Sequence, residues 1–411
     1  MTMVPSIEEY LQNKESTDYD REGFDRYCHK RKLSLSCPVI HIAGSNGKGS
    51  TAHYLEAICS HAGYKVASFI KPQFYEVNEM ISFNGTHISD ADLERIFNEN
   101  KADFDKFDLT CFEIEVAIAY RYFEEVKPDL AIIECGMGGE TDATNLYDLP
   151  TVLSIITSVS LEHTAYLGTT VSAIAQAKGG IIKPESPVLV GKLEESATIT
   201  LREIATKSKS PFFEVEDYHF EEPTPKGFVF DYRPYKRIEI HSPAPYQLKN
   251  ASLAIEATKI LASSFPVKEE DVRSGLASSN LPGRMERYGR ILIDGAHNTE
   301  AMGELVAALP HFAFGKPTHA LFACFRDKNI AAELPLLSNA VESVTLTTFD
   351  HPRARTEEDY FIYIGDYPFA PNAEEALKEL LDTYPEDPIV ICGSLAFAGK
   401  MRKFIIEKGL K

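Results

Sequence analysis

Several features that would place the protein in a membrane or on nucleic acid are missing from the sequence. No apolar run approaches the roughly 18 residues of a membrane-spanning helix, and the first residues lack the charged-then-apolar profile of a signal peptide. Aspartate and glutamate outnumber lysine and arginine by 61 to 42, so the formal net charge is −19. Because so acidic a surface repels phosphate backbones and anionic lipids, we expect neither a nucleic-acid nor a membrane partner.

The sequence also contains no CxxC pair. Its seven cysteines are odd in number and scattered along the chain, which argues against a disulfide framework and against a zinc site. This distribution predicts reduced thiols and a cytoplasmic location. With 411 residues and 44% hydrophobic content, the chain is long enough for two or three domains with large cores.

Strand-length apolar runs alternate with helical patterns through the first half of the chain. Residues 38–43, 129–136 and 151–159 have the pattern of buried strands, and residues 48–63 and 111–126 have the pattern of helices. This order predicts an α/β fold with a mostly parallel sheet, of the kind found in P-loop ATPases, covered by helices on both faces.

The pattern changes twice further along the chain. Residues 208–243 contain short β-like runs, which predict a small antiparallel insert. A boundary follows within residues 278–289, and the strand and helix patterns after it predict a smaller, Rossmann-like α/β domain. We therefore expect two domains, residues 1–284 and 285–411. Within the first, Asp90 is a suitable N-cap residue and predicts a helix start.

The stretch VIHIAGSNGKGSTAHYL, residues 39–55, resembles a phosphate-binding loop but departs from the strict P-loop pattern. Gly47 and Lys48 are present, yet Ile42 stands where that pattern has its first glycine, and the hydroxyls come only at Ser50 and Thr51. A strand that leads through glycines into a helix directs backbone N–H groups at one point. The alternative is a tight turn with glycines for steric reasons; the nearby lysine favours a nucleotide site.

Three further candidates follow in the first domain. Glu134 ends a buried strand, at the edge where open α/β sheets bind ligands, and its carboxylate could hold a magnesium ion. His163 follows the next strand and would lie at the same edge. Lys178 lies in the last turn of a helix, where a solvated lysine is the ordinary interpretation. Each residue also has a purely structural explanation when taken alone.

The second domain offers a similar group. Asp294, His297 and Asn298 come directly after a strand and could converge on a ligand, although the same composition favours an Asx-type turn. Arg284 lies at the domain junction, where its guanidinium could reach a phosphate. A solvated linker arginine is the alternative.

Taken together, these motifs resemble a known family. GSNGKGS, ECGMGG with DATN, SLEHTAYLG, AKGGIIKP, NASLAIEA, LPGRME, DGAHN and CGSL occur in the order seen in folylpolyglutamate synthases. Those enzymes belong, with dihydrofolate synthases, to the Mur ligase superfamily of ATP-dependent amide ligases. The resemblance extends from about Ser6 to the C-terminus, and eight motifs in order are a far more specific signal than any one of them.

The resemblance implies an ATP-dependent ligase that adds L-glutamate to a folate carboxylate through an acyl phosphate. It implies an ATP-binding domain at 1–284, a glutamate-ligase domain at 285–411, and a monomer. ATP would be bound by Gly44, Ser45, Asn46, Gly47, Lys48, Gly49, Ser50, Asn250, Arg284 and Asp294. Glutamate would be bound by His297 and Ser394, and the catalytic residues would be Lys48, Lys178 and His297.

The same resemblance implies metal ions. Two magnesium ions would be held by Glu134, His163, Ser50 and a carbamylated Lys178, and a monovalent cation would also bind. The sequence departs from the family pattern in three places, one of which is the segment STDYDREGFDRYCHKR, which lacks the Gly-Leu-Glu-Arg wording frequent in the family. Lys71 stands where relatives have a serine that helps bind magnesium, and Glu140 stands where they commonly have arginine.

These departures leave alternatives open. The Lys71 ammonium could point at phosphate, or another oxygen or water could replace the missing serine. A Mur-type ligase with a different carboxylate acceptor remains an alternative function, as does a catalytically impaired ATP-binding paralogue.

Overall fold

The computed structural model describes residues 7–14, 20–71, 77–224, 226–279 and 281–410. The chain divides into two compact units. The first comprises Met1–His219, Asp231–Ile238 and Lys249–Ser279, and the second comprises Phe220–Phe230, Glu239–Leu248 and Asn280–Lys411.

The first unit is built on an eight-stranded sheet in the order β4-β3-β2-β5-β1-β6-β7-β8. The strands from β2 to β8 in this order pair in parallel, and β3 and β4 form an antiparallel edge. The strands are β1 (Val39–Ala43), β2 (Val66–Phe69), β3 (Ile81–Phe83), β4 (Thr86–His87), β5 (Leu130–Glu134), β6 (Thr151–Ile156), β7 (Val188–Val190) and β8 (Phe212–Glu214). The predicted mostly parallel sheet is confirmed.

Helices follow most of these strands. They are α1 (Ile7–Gln12), α2 (Glu22–Arg31), α3 (Lys48–His61), α4 (Asp90–Lys106), α5 (Cys111–Val126), α6 (Thr164–Leu167), α7 (Val171–Gly179), α8 (Glu195–Lys207), α9 (Gln247–Ile260) and α10 (Glu269–Ser278), with a 3-10 turn at Val77–Met80. The predicted helix at 111–126 matches α5, which begins with a capping box between Thr110 and Glu113.

Two details of the sequence prediction were wrong. The N-cap of α4 is Ser89, whose hydroxyl accepts a hydrogen bond from the Asp92 N–H, and Asp90 is the first helical residue. The predicted insert at 208–243 also begins too early, because β8 pairs in parallel with β7 at the edge of the large sheet. A separate three-stranded sheet follows, in the order β11-β10-β9, formed by β9 (His219–Thr224), β10 (Gly227–Tyr232) and β11 (Tyr235–Ile240).

Every residue of the central strands β1 and β5 is buried, so both faces of the large sheet are covered. Two apolar clusters share one of these faces, as the strand register shows. One cluster joins Val39, Ala67 and Ile133 of the sheet to apolar residues of α4 and α5. Another joins Ile156 and Val188 to apolar residues of α7 and α8. Because a parallel sheet is apolar on both faces, its polar functional groups are confined to the strand ends.

The second unit contains a six-stranded sheet in the order β12-β13-β17-β14-β15-β16, parallel except for the β12–β13 pair. The predicted smaller α/β domain is confirmed, although its first strand, β12, was not predicted. Its elements are β12 (Glu286–Tyr288), β13 (Ile291–Ile293), α11 (Thr299–Ala313), β14 (His319–Phe322), α12 (Ile330–Ser338), β15 (Ser343–Thr347), a 3-10 turn (Glu358–Tyr360), β16 (Phe369–Ala370), α13 (Ala373–Thr383), β17 (Ile389–Cys392) and α14 (Leu395–Lys408). No helix of the described residues is long and apolar enough to cross a membrane.

Candidate active site

Three chain segments meet at the carboxyl edge of the large sheet. The central strand β1 pairs in parallel with β5 on one side and with β6 on the other. The phosphate-loop candidate follows β1, Glu134 ends β5, and residues 157–163 follow β6. In an open α/β sheet, ligands bind where such strand ends lie side by side. The fold therefore brings three of the predicted segments to one edge.

Residues 44–47 join β1 to α3 in a conformation that suits glycine. Gly47 has φ of +82°, and a Cβ atom there would lie 2.3 Å from Oδ1 of Asn250. The loop is held from the other side by residues after β6. The Ser45 N–H donates to the Ser158 carbonyl at 2.9 Å, and the Asn46 N–H donates to the Ser158 hydroxyl at 2.8 Å. Asn250 thus lies against the loop, and Ser158 is a loop contact that the sequence did not predict.

Lys48 is the first residue of α3. Its ammonium donates to the carbonyl of Gly44 at 2.9 Å and lies 3.9 Å from Oε1 of Glu134. A lysine at the start of a helix, above backbone N–H groups, forms a positive site of the size of a phosphate.

Glu134 and Ser50 are buried beside that loop. One oxygen of the Glu134 carboxylate accepts the backbone N–H of Lys71 at 2.9 Å, and the same oxygen would lie 3.2 Å from a Cβ atom at Gly49. Ser50 occupies the first turn of α3 and is buried as well. Both oxygen donors therefore lie next to the phosphate-loop candidate.

The Lys71 side chain is held at a place that the sequence did not indicate. Its ammonium lies 3.2 Å from Oε2 of Glu115 and 4.1 Å above the centre of the Phe112 ring. Glu115 and Phe112 both belong to α5. Lys71 therefore forms an ion pair with Glu115, while its backbone contacts Glu134.

A cavity beside the loop gathers charged side chains. Its lining comprises Gly44, Lys48, Cys135, Gly136, Met137, Gly138, Glu162, His163 and Lys178. Lys178 is only 1% exposed, and its ammonium lies 2.7 Å from Oε1 of Glu162. The expectation of a solvated lysine is therefore wrong, because α7 packs this end against the sheet edge.

The electrostatics of this ion pair follow from its burial. Burial lowers the pKa of the Lys178 ammonium, and the Glu162 carboxylate only partly offsets that effect. Burial works to raise the pKa of Glu162, but the charges of Lys178 and Lys48 outweigh it and lower that pKa. Glu162 was not a predicted site residue, although an acidic side chain directly before His163 was a signal that could have found it.

The donor atoms fit a magnesium ion that also binds nucleotide. Among the described residues, no group of three or more His, Cys, Asp or Glu side chains forms a ready-made metal cage. Magnesium seldom uses such cages, since it keeps several waters and binds through one or two carboxylates and substrate phosphates. Glu134 and Glu162 supply carboxylates, Ser50 supplies a hydroxyl, and His163 supplies an imidazole at the cavity.

A buried polar network lies behind the site. His41 of β1 is hydrogen-bonded to Thr144 at 2.9 Å and contacts the Cys135 thiol at 3.1 Å. Burial, with a smaller contribution from the Lys183 charge, lowers the pKa of His41 to about 3. Burial also raises the pKa of Asp142, whose carboxylate accepts the Met137 N–H at 2.8 Å.

The segment around Asp142 has another unpredicted contact. Arg21, just before α2, donates to the carbonyls of Asp142 and Asn145 at 2.7 and 2.8 Å. Glu140, which replaces the expected arginine, is exposed, and its backbone N–H donates to the Ala177 carbonyl at 2.9 Å. Nothing in the site geometry requires its carboxylate.

In the second unit, the predicted residues gather at the adjacent ends of β13 and β17. Asp294 is buried, and its carboxylate accepts the Tyr246 hydroxyl at 3.0 Å and the Met285 N–H at 2.8 Å. Burial raises the pKa of Asp294, while the nearby Arg284 charge opposes that rise. The His297 ring donates from Nδ1 to the Gly295 carbonyl at 2.8 Å.

Ser394 lies beside this group, at the start of α14. The preceding Gly393 N–H donates to the Ala296 carbonyl at 3.0 Å, which joins the loop of Ser394 to the loop of His297. Asp294, His297 and Ser394 therefore share one edge of the second sheet. Tyr246 was not predicted from the sequence, because it contacts Asp294 across 48 residues of chain.

Two protein families match the chain. Residues 42–258 match the Mur ligase middle domain, and residues 283–395 match the Mur ligase glutamate ligase domain. The folylpolyglutamate synthase of Lacticaseibacillus casei is 33% identical over 393 residues, which cover 89% of this chain and 90% of that protein. The dihydrofolate synthase/folylpolyglutamate synthase of Bacillus subtilis is 31% identical, with the same shares covered.

A solved structure gives the same result. The Mycobacterium tuberculosis folylpolyglutamate synthase, complexed with ADP and AMPPCP, superposes with a TM-score of 0.88 at 26% identity and covers 97% of each chain. The fold, the ordered motifs and these similarities agree. The chain belongs to the folylpolyglutamate synthase/dihydrofolate synthase family of Mur ligases.

Proposed function

We propose that the protein is an ATP-dependent ligase that joins L-glutamate to the carboxylate of a reduced folate, with dihydropteroate as a second acceptor. The observation that carries the proposal is the position of Lys48, within a glycine loop at the start of α3 and 3.9 Å from the Glu134 carboxylate. A cation and a carboxylate at adjacent strand ends suit a magnesium nucleotide. The relatives' names supply the acceptor and the amino acid.

We assign ATP binding to residues 1–284 and glutamate binding to residues 285–411. Within the first range, the phosphates would contact residues 44–50 and the adenine would contact Asn250. Outside that range, we assign Asp294 to the nucleotide together with Arg284, and we assign His297 and Ser394 to the incoming glutamate. The shared sheet edge of Asp294, His297 and Ser394 supports the last assignment.

The proposed reaction has two steps, because a carboxylate is a poor acyl donor. An oxygen of the acceptor carboxylate attacks the γ-phosphorus of ATP, the bond to ADP breaks, and an acyl phosphate forms. The glutamate amine then attacks the acyl carbon, loses a proton, and inorganic phosphate leaves. Lys48 reduces the repulsion between the two anions that meet in the first step.

Magnesium would be held by Glu134, Ser50 and His163, and we add Glu162 as a further oxygen donor. When bound, the ion supplies charge neutralisation at the transferring phosphoryl group. The buried carboxylate of Glu134 is oriented by the Lys71 N–H, so the donor is fixed before the ion arrives.

We also propose that Lys178 is carbamylated in the active enzyme, with a second magnesium ion and a monovalent cation nearby. Burial, which lowers the pKa of Lys178, favours the neutral amine that reacts with carbon dioxide. In the unmodified state, Lys178 serves as the partner of Glu162. The seven free thiols support the proposed cytoplasmic location, and we expect a monomer.

An acceptor panel tests the proposal. ADP formation is measured with tetrahydrofolate, with dihydropteroate and with unrelated carboxylates, each with and without L-glutamate. We expect ADP only when a folate-type acceptor and glutamate are both present. Lys48→Ala should lower the rate by about 100-fold or more, whereas Lys101→Ala, which removes an exposed ion pair with Asp105, should not.

Failure of both folate-type acceptors would overturn the folate assignment. Stimulation by another carboxylate would then identify a Mur-type ligase with a different acceptor. If neither the folate-type acceptors nor the other carboxylates stimulate ADP formation, the protein is an impaired ATP-binding paralogue.

A further inference from the structure

Lys71 connects the proposed magnesium site to α5. It lies two residues after the end of β2, and β2 pairs in parallel with β5, the strand that Glu134 ends. The Lys71 N–H donates to Oε2 of Glu134 at 2.9 Å, and the Lys71 carbonyl lies close to Gly49 of the phosphate loop. The backbone of Lys71 is therefore anchored next to the place where a divalent ion is expected, and its side chain starts from there.

The Lys71 ammonium is held by two groups of α5. It lies 3.2 Å from Oε2 of Glu115 and 4.1 Å above the Phe112 ring. The Glu115 side chain is 4% exposed and that of Lys71 is 26% exposed, so the carboxylate is the more deeply buried partner. A buried carboxylate and an aromatic face together form a strong site for an ammonium group.

Phe112 itself is fixed in position. Its ring stacks on Phe69 with a centroid distance of 6.1 Å, and a Cβ atom at Gly136 would lie 2.6 Å from its Cζ atom. The Phe112 ring is therefore packed between β2 and the loop after β5. Because the ring stays beside Glu115, the ammonium that contacts both groups is held there as well.

We propose that Glu115 is a charge-neutralising residue of the cation site. It cancels the Lys71 charge and holds the ammonium on Phe112, so that Glu134 remains available to a magnesium nucleotide. Glu115 acts through Lys71 and is therefore a positioning residue. The inference rests on the proposed function, because it requires a magnesium nucleotide at Glu134.

The ordinary alternative is that the pair only ties the end of β2 to α5. The two explanations differ in what removal of Glu115 does. If Glu115 neutralises Lys71, its removal frees an ammonium that attracts ADP phosphates and repels the metal ion. Further removal of Lys71 then reverses the effect. If the ion pair only connects β2 to α5, that connection is lost when either residue or both are replaced, so removal of Lys71 does not reverse the effect of removing Glu115.

The experiment compares ADP affinity in magnesium and in EDTA by calorimetry. The ratio of the dissociation constant in EDTA to that in magnesium expresses how much magnesium strengthens ADP binding. It is measured for the wild type, Glu115→Gln, Lys71→Met and the double variant. We expect the ratio in Glu115→Gln to fall about tenfold and that in the double variant to return to within about threefold of the wild type. Glu125→Gln, which removes an exposed partner of Arg95 from the same helix, is the matched control and should leave the ratio unchanged.

Three results are decisive. An unchanged ratio in Glu115→Gln, or an equal fall in the double variant, would overturn the role of Glu115 while leaving the proposed function intact. A wild-type protein that binds ADP without any magnesium dependence would overturn both. Thermal unfolding of each variant confirms that the ratio is measured on folded protein.

Discussion

The Lys178 ammonium lies 2.7 Å from Oε1 of Glu162, and this lysine is almost completely buried. The pair sits at the end of α7, where the sequence alone indicated a solvated lysine. Burial of a charge without a partner is costly, so Glu162 keeps Lys178 at the cavity that Lys48 and His163 also line.

Glu162→Gln should therefore destabilise the protein. In protein with unmodified Lys178, the substitution leaves the buried ammonium without its countercharge, and we expect a loss of about 3 kcal/mol in the free energy of unfolding. Urea unfolding measures it. Glu140→Gln, at an exposed position, is the control and should change the value by less than about 0.5 kcal/mol. Equal stabilities of the two variants would contradict the assigned role of the ion pair.

Lys178→Ala tests the proposed carbamate. If Lys178 provides a carboxylate in the active enzyme, the variant should be nearly inactive in ADP formation. Small carboxylates added to the assay should restore part of the activity by occupying the vacated space. A fully active Lys178→Ala protein would rule out this role, and an inactive protein that no carboxylate rescues would leave Lys178 as a structural cation.

Gly47→Ala tests the geometry of the phosphate loop. The new Cβ atom would lie 2.3 Å from Oδ1 of Asn250 at a φ of +82°. We expect ADP affinity to fall on the order of tenfold or more. Gly63→Ala is the matched control, because φ is +87° and, apart from Gly63 and its two chain neighbours, no heavy atom of the described residues lies within 4 Å of the added Cβ atom. Both variants should lose about 1 kcal/mol of stability, and weaker binding in both would contradict a local effect.

His41 predicts a pH dependence of stability. Its pKa is about 3 in the folded protein, against 6.5 for the unperturbed group, because the ring is buried. Between pH 6.5 and about 3, the unfolded chain binds a proton that the folded protein excludes. Stability is therefore lost as the pH falls, by up to about 1.4 kcal/mol per pH unit.

Urea unfolding from pH 7.5 to 4.5 checks this slope. His41→Gln cannot take up the proton, so its stability should fall less steeply with decreasing pH than that of the wild type. Parallel curves for the two proteins would show that His41 does not contribute.

The predictable part of the site depends on local pattern. Buried strand runs place Glu134 and residues 157–163 at strand ends, and parallel strands bring such ends to one edge. The glycines and Lys48 between a strand and a helix indicate a phosphate loop without knowledge of any tertiary contact. These features could be predicted from the sequence because each depends only on residues that are close together along the chain.

The unpredicted part depends on distant partners. Glu115 meets Lys71 across 44 residues, and Arg21 meets Asp142 across 121. Residues this far apart carry no local signal of their pairing. The α4 start shows the limit at short range, because Ser89 and Asp90 are both good N-cap residues and only the backbone conformation selects Ser89.

The most direct test of the proposed function is the identity of the product. The protein is incubated with magnesium ATP, L-glutamate and tetrahydrofolate, and the folate is analysed by mass spectrometry beside the ADP and phosphate released. We predict a folate with one added glutamyl residue per ADP formed. An unmodified folate, or ADP released at the same rate without it, would contradict the assignment of this protein as a folate–glutamate ligase.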